Sequence, residues 1–286
     1  MLRRSFIGAS AVIGLQAQHP SPERRTKHAL ASDSVNISNF LRGTARTQSF
    51  NAGAGKASLV ELEDTARAVT GRTDLKLAWV TLPSASIKIY PRKVAPKWSE
   101  LPFGLPDDIA AVNGPQIRDP ELLLYSAPSA DIRHKARPRL TASNSGGFLI
   151  RTPTGLAIRR TKEPGYVDDA LTIIQSDVLL VEDGNVAIYG DKTNDIWNRT
   201  AIGLGAAGEL VIIGVFAADC YAFTLKQFAD AIRELKTAQG IDVRWALNMD
   251  GAFASFISVP PLLGADKCFG TCSLMHVGST IHFLAT

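Results

Sequence analysis

TLKQFADAIRELKTAQGIDVRWALNMDG, residues 224–251, decides the fold. Thr224 followed three residues later by Gln227 is a capping box, in which each side chain satisfies the other residue's backbone N–H. Leu225, Phe228, Ala229, Ile232 and Leu235 recur at helical spacing, which predicts one helix with a single buried stripe. Gly240 supplies the stop. Val243 to Leu247 then reads as a strand, with Asn248-Met249-Asp250-Gly251 as the turn at its tip. A strand end of this kind places an amide and a carboxylate at a sheet rim, where catalytic groups concentrate. Gly251 can adopt positive φ, which would let the backbone turn sharply beside a ligand. Taken locally, Asn, Asp and Gly also suit a plain turn.

Upstream, three hairpins are predicted. Phe148 to Arg151 and Leu156 to Arg159 flank Pro153-Thr154-Gly155; Val178 to Val181 and Val186 to Tyr189 flank Asp183-Gly184; Ala201 to Leu204 and Leu210 to Val215 flank Ala206-Ala207-Gly208. Phe253 to Val259 and Thr280 to Leu284 read as closing strands. Many hairpins and few helices imply an α+β fold, with a mixed, largely antiparallel sheet and a few packed helices. Nearer the N-terminus, Leu59, Leu62, Ala66 and Val69 recur at helical spacing before Gly71, so a helix is expected where order begins, near Ser58. Leu75 to Leu82 and Ile87 to Tyr90 read as strands around Pro83-Ser84-Ala85-Ser86. Ile109-Ala110-Ala111-Val112 runs into Asn113-Gly114-Pro115. The stretch from Gln116 to Pro138 is irregular, with a short strand available at Leu122 to Tyr125.

The chain has 286 residues and a net charge of +4, but the charge is unevenly placed. Residues 1–50 hold seven basic side chains against two acidic ones and carry +5, so the remainder nets −1. A nucleic-acid binder needs its positive charge on the folded surface, which argues against that class. Arg3-Arg4-Ser5-Phe6-Ile7 follows the twin-arginine export pattern, and Phe6 to Leu15 is a short apolar run with Ala17 as a small residue before cleavage. That run is too short to span a bilayer. The expected organisation is therefore an export signal over 1–17, a flexible tether over 18–56, and a single domain over 57–286 after this disordered leader. The destination is periplasmic or extracellular.

Three cysteines, Cys220, Cys268 and Cys272, form no disulfide framework, although an exported chain could oxidise one pair. Cys268, Cys272, His276 and His282 match none of the usual zinc spacings, and no metal or cofactor is predicted.

The segment Asn248-Met249-Asp250-Gly251-Ala252-Phe253-Ala254-Ser255 resembles the Leu-Asn-Leu-Asp-Gly-Gly-Gly-Ser-Ser segment of the phosphodiester glycosidase family. That family includes the lysosomal uncovering enzyme, which removes N-acetylglucosamine from phosphate diesters on mannose. Gln175-Ser176-Asp177-Val178-Leu179-Leu180-Val181 with Asp183-Gly184 is similar to its Gln-Ser/Ala-Gly-Pro strand, and Arg199-Thr200-Ala201-Ile202-Gly203 to its Arg-Thr-Ala-Val-Gly strand. Asn113-Gly114 resembles its opening Asn-Gly-Gly turn, and Gly147-Phe148-Leu149 to Gly155 its next hairpin. The segments fall in the family's order and cover about Leu75 to Thr286. The chain departs at Ala252-Phe253, Asp177-Val178 and Pro115-Gln116, where the family has glycines, Gly-Pro, and a Gly with an aromatic pair.

The resemblance implies hydrolysis of a sugar-1-phosphodiester or a related envelope polysaccharide linkage. Ordinary glycoside hydrolysis needs two carboxylates, one of them an acid for a poor leaving group. A phosphate departs with little protonation, so one carboxylate can suffice. Asp250 is the candidate nucleophile or base, and Arg199 the candidate phosphate ligand, through charge-assisted hydrogen bonds that could be bidentate. Asn113, Gln175 and Asn248 would orient sugar hydroxyls or an acetamido group, with Gly114, Thr200, Gly251 and Ser255 completing the binding set. The altered positions leave an alternative, a catalytically silent relative that binds or helps assemble surface polysaccharide. Phe253 could narrow the pocket, and Asp177 could add a second carboxylate or lie on the wrong face.

Overall fold

Seven consecutive residues, Leu210 to Phe216, are all buried. An antiparallel strand with one wet face would alternate, so a continuous apolar run demands cover on both sides. The computed structural model, which describes residues 34–63, 75–93, 108–115, 124–126, 139–140, 146–160, 165–166, 169–188, 195–251, 254–262, 268–270 and 279–286, shows what supplies it.

The described chain opens with α1 (Ser34–Leu41), β1 (Arg46–Ala52), β2 (Gly55–Glu63), β3 (Lys76–Leu82), a 3-10 turn at Ser84–Ser86, β4 (Ile87–Lys93) and β5 (Asp108–Asn113). Next come β6 (Leu124–Ser126), β7 (Arg139–Leu140), β8 (Gly147–Thr152), β9 (Gly155–Arg159), β10 (Gly165–Tyr166), β11 (Thr172–Ser176), β12 (Leu179–Glu182) and β13 (Asn185–Val186). It closes with β14 (Arg199–Gly205), β15 (Leu210–Phe216), α2 (Leu225–Gln239), β16 (Val243–Asn248), β17 (Phe256–Ser258), β18 (Cys268–Gly270) and β19 (Ser279–Ala285). An eight-stranded sheet runs β1-β2-β3-β15-β14-β16-β12-β13, a five-stranded sheet β18-β17-β5-β19-β4, and a four-stranded sheet β6-β11-β8-β9. A small ladder joins β10 to β7. The pairings described are antiparallel, so the fold is the expected α+β type.

The eight-stranded sheet is the middle layer. On one face Val211, Ile213 and Val215 pack with Trp79, Phe228, Ile232 and Leu235 under the helices. On the other, Leu210 and Ile212 pack with Ile89, Val112, Ile281 and Phe283 of the five-stranded sheet and Leu149 and Ile174 of the four-stranded one. Alternate side chains of β15 thus enter different cores, which is why its apolar run has no break.

The three hairpins form, as β8–β9, β12–β13 and β14–β15, the second with a shorter return strand (Asn185–Val186) than expected. Asp183 (φ 50°) and Gly184 (φ 78°) both take positive φ, the requirement of a tight hairpin turn that matches strand twist. α2 starts on the predicted capping box at Thr224 and Gln227 and ends on a left-handed Gly240. Of the remaining readings, β6 overlaps the end of the expected Leu122–Tyr125 strand, whose first two residues lie outside the described residues, and the strands at 75–90 and 280–284 are met by β3, β4 and β19; within the expected Phe253 to Val259 strand, β17 covers Phe256–Ser258.

The helix expected across Leu59 and Leu62 is instead strand β2. Leu59 joins Ala57 on one face, while Leu62 joins Val60 on the other, under the helices. An odd step such as i to i+3 crosses faces in a strand, so a strand buried on both sides imitates helical spacing. Ala66, Val69 and Gly71 lie outside the described residues. Order also begins earlier than Ser58. Within the expected tether, α1 buries Ile37, Phe40 and Leu41, and β1 buries Phe50 and Ala52. Gln239 Nε2 ties this segment to α2 by donating to the Leu41 and Gly43 carbonyls. The leader over 1–17, the first part of the tether, and the irregular stretch 116–138 apart from β6 lie outside the described residues. No described helix is long and apolar enough to cross a membrane.

Candidate active site

The registers carry several strand ends to one place. Ala201 of β14 faces Asn248 of β16, and Leu247 faces Leu179 of β12. Beyond the last pair, the 248–251 tip is tied to its surroundings residue by residue. Asn248 N–H donates to Val178 O (2.9 Å), Met249 N–H to Thr200 O (2.9 Å), and Asp250 N–H to Gly114 O (2.9 Å). The Asn248 carbonyl accepts from Ser176 Oγ, at the end of β11. The Asp250 carbonyl accepts from Asn113 Nδ2 at 2.8 Å, with Ser255 Oγ at 3.3 Å and Thr200 Oγ1 at 3.4 Å. A turn held through so many backbone groups presents its carboxylate on a rigid base. Asp250 is half-buried, and its Oδ1 accepts from Gly251 N–H at 2.8 Å.

Arg199 begins β14 and is 6% exposed. Its Nε donates to Phe223 O (3.3 Å) and its Nη2 to Asp195 O (2.6 Å). Both partners are neutral carbonyls. Burial lowers its pKa below the ordinary arginine value to about 10, partly offset by the charges of Asp195 and Asp250. The guanidinium therefore stays charged at neutral pH. With Nε and Nη2 engaged, Nη1 is the arm left toward the tip, which disfavours the bidentate option.

Gly251 does not use the left-handed conformation open to a glycine. What glycine provides there is space. A Cβ there would lie 3.1 Å from Arg199 Nη1 and 3.3 Å from Asn198 O.

Asn113 and Thr200 are fully buried and bonded to one another, Thr200 Oγ1 donating to Asn113 Oδ1 at 2.7 Å. Ser255, also buried, donates to Asn198 O at 3.0 Å. Gln175 is buried one residue before Ser176, so its strand ends at the tip. Asn248 is half-buried; its Nδ2 donates to Met249 O, and its Oδ1 is enclosed without a partner. The candidate residues thus fall in one region. Asp177 is exposed, and Ala252 and Phe253 lie outside the described residues.

Three contributors escaped the sequence reading. Asn198 extends the β14–β15 ladder with its side chain: Ala217 N–H donates to Oδ1 (2.7 Å), and Nδ2 donates to Ala217 O (3.2 Å). That rung aims Arg199. Asp195, four residues before Arg199, supplies a carbonyl and a charge. Ser176 anchors Asn248. Only Asn198 and Ser176 had a local signal, as neighbours of Arg199 and Gln175. Elsewhere, His282 Nδ1 pairs with Asp108 Oδ2 (2.7 Å) and Nε2 with Thr280 Oγ1 (2.8 Å), a buried row on the five-stranded sheet. Cys268 is disulfide-bonded, and Cys220 is a buried thiol outside any disulfide. Cys272 and His276 lie outside the described residues.

The family model of the phosphodiester glycosidases matches residues 109–259, more than half of the chain and all the segments that meet at the tip. The chain belongs to the phosphodiester glycosidase family. Membership implies a carbohydrate-type substrate. Among solved structures, this phosphodiester glycosidase family member is similar to the zebrafish N-acetylglucosamine-1-phosphodiester alpha-N-acetylglucosaminidase catalytic domain auto-inhibited by its pro-peptide. The identity is 15%, the TM-score 0.52, and the match covers 85% of this chain and 89% of that one. It is also similar to a protein from Synechocystis, at 10% identity and TM-score 0.49, over 84% of this chain and 64% of that one. No curated protein matches the sequence at a significant level.

Proposed function

We propose that this member of the family hydrolyses a sugar-1-phosphodiester, with Asp250 as the reacting carboxylate and Arg199 as the phosphate ligand. The observation that carries the reading is Arg199 itself. A guanidinium this buried is normally matched by a carboxylate, because neutral carbonyls do not compensate its charge. Arg199 has only carbonyls in hydrogen-bond contact, beside a half-buried carboxylate. The charges of Asp195 and Asp250 offset its burial only in part, and a phosphodiester adds a directly bonded negative charge through Nη1, at the position where a leaving phosphate gathers more.

In the reaction the C1–O bond breaks and its electron pair leaves with the phosphate. Asp250 either attacks C1, giving a glycosyl ester that water then cleaves, or removes a proton from the attacking water. Asn248 and Gln175 orient the sugar, and Gly251 lets the tip lie against Arg199. The test is turnover of a chromogenic sugar-1-phosphodiester by the wild type and by Asp250→Asn. Loss of about 10³-fold is expected, within the usual range for removing a general base. Equal, measurable rates would remove Asp250 from the mechanism, and no turnover by the wild type would favour the silent polysaccharide binder.

We further propose that the protein acts on envelope material after export, a reading supported by Arg3-Arg4-Ser5-Phe6-Ile7 and the apolar run after it. Fractionation of bacterial cells making the full chain should find it outside the cytoplasm. A wholly cytoplasmic mature protein would overturn export.

A further inference from the structure

Asn113 has no capacity left for a substrate. It is 0% exposed. Its Oδ1 accepts from Thr200 Oγ1 (2.7 Å) and from the backbone N–H of Phe256 (3.0 Å), while Nδ2 donates to Asp250 O at 2.8 Å. The Phe256 N–H can only donate, so the amide oxygen must face it and Nδ2 must face Asp250; the orientation of this side chain is determined. Thr200 is 0% exposed as well, its hydroxyl directed at Asn113 Oδ1 over the longer approach to Asp250 O.

From this geometry we infer that Asn113 and Thr200 are positioning residues that hold Asp250 in register and make no contact with sugar or phosphate. The inference rests on the proposed role of Asp250. The end of β5 grips Asp250 twice: Gly114 O takes its N–H at 2.9 Å, and the Asn113 side chain takes its C=O. Both peptide planes flanking the Asp250 Cα are thereby fixed, which fixes the direction of Cα–Cβ and of the carboxylate. Thr200, on β14 beside Arg199, sets the Asn113 amide, so one buried pair links the strand of the anion ligand to the reacting carboxylate. Losing the Nδ2 donor leaves that carbonyl only the longer contacts of Ser255 Oγ at 3.3 Å and Thr200 Oγ1 at 3.4 Å, and so loosens one of these planes. A misplacement of about 1 Å at a reacting group lowers the rate by about 10²-fold.

The test uses near-isosteric changes in the full chain. Asn113→Asp removes the Nδ2 donor, Thr200→Val removes the hydroxyl, and Thr200→Ser keeps it. The expected result is a kcat fall of about 10²-fold in Asn113→Asp and about tenfold in Thr200→Val, with KM within about twofold of wild type, and recovery of most of kcat in Thr200→Ser. Hydrogen exchange provides a readout independent of turnover: the Met249–Gly251 amides should exchange faster in Asn113→Asp, while α2 is unchanged. A KM rise matching the loss of kcat/KM would mean substrate contact and overturn the inference, as would unchanged kcat with unchanged exchange. If the wild type turns over no phosphodiester, the role of Asp250 falls. Exchange then decides alone, faster exchange at the tip supporting the positioning role and unchanged exchange overturning it.

Discussion

Arg199 holds a full charge where water barely reaches, and its direct partners are the carbonyls of Phe223 and Asp195. Desolvation is the larger influence on its pKa and the nearby carboxylates the smaller, so the net direction is down, to about 10. A base with a depressed pKa is disfavoured in its charged form by the fold. That penalty is present while the group is protonated in the folded state and is relieved as pH rises through about 10 toward the unfolded value. Anion binding runs the other way, since it needs the proton. Phosphodiester affinity should therefore be level through neutral pH on account of this group and weaken as pH passes about 10, as titration calorimetry across that range would record. Arg199→Ala should weaken a phosphodiester by about 10- to 100-fold, the scale of a lost charge-assisted hydrogen bond, while a neutral sugar loses much less. Equal losses for the two ligands would count against the phosphate role.

At the scale of elements, legibility followed the range of the interactions. The capping box, the stripe of α2 and the hairpin turns are contacts within a few residues, and all were readable. The strand β16 and its tip followed directly from them. β2 was misread because burial on both faces removes the period-2 pattern that normally marks a strand, leaving Leu59 and Leu62 at a helical interval. α1 was missed because its three buried side chains, Ile37, Phe40 and Leu41, sit in a polar segment and find their cover on α2, almost two hundred residues away. The site divides in the same way. Asp250 and Arg199 stood out by residue type and segment order. That Asn113 and Thr200 face inward, that Asp195 lends Arg199 a carbonyl, and that Gly251 yields space and not a left-handed turn all depend on which strand ends meet. Registers between distant strands decide that, and no local pattern encodes them.

At the scale of the molecule, the eight-stranded sheet needs both of its covers, and its first edge is made by residues that composition assigns to a tether. β1 pairs with β2 from Arg46↔Glu61 to Ala52↔Gly55, and α1 closes the helical layer with Ile37, Phe40 and Leu41. Burying an aliphatic or aromatic side chain of this size contributes about 1.5–3 kcal/mol. Three of them approach the whole net stability of a typical domain, about 5–15 kcal/mol. Removing β1 would also turn β2 into an open edge, with unpaired N–H and C=O groups facing solvent. A chain beginning at Ser58 should accordingly melt well below the full chain, lose a single cooperative transition, and aggregate on concentration. Calorimetry and light scattering on the two proteins would measure this. If the shortened chain unfolds at the full chain's temperature and stays monodisperse, residues 34–57 are an accessory to the domain; a large loss makes them its first structural elements.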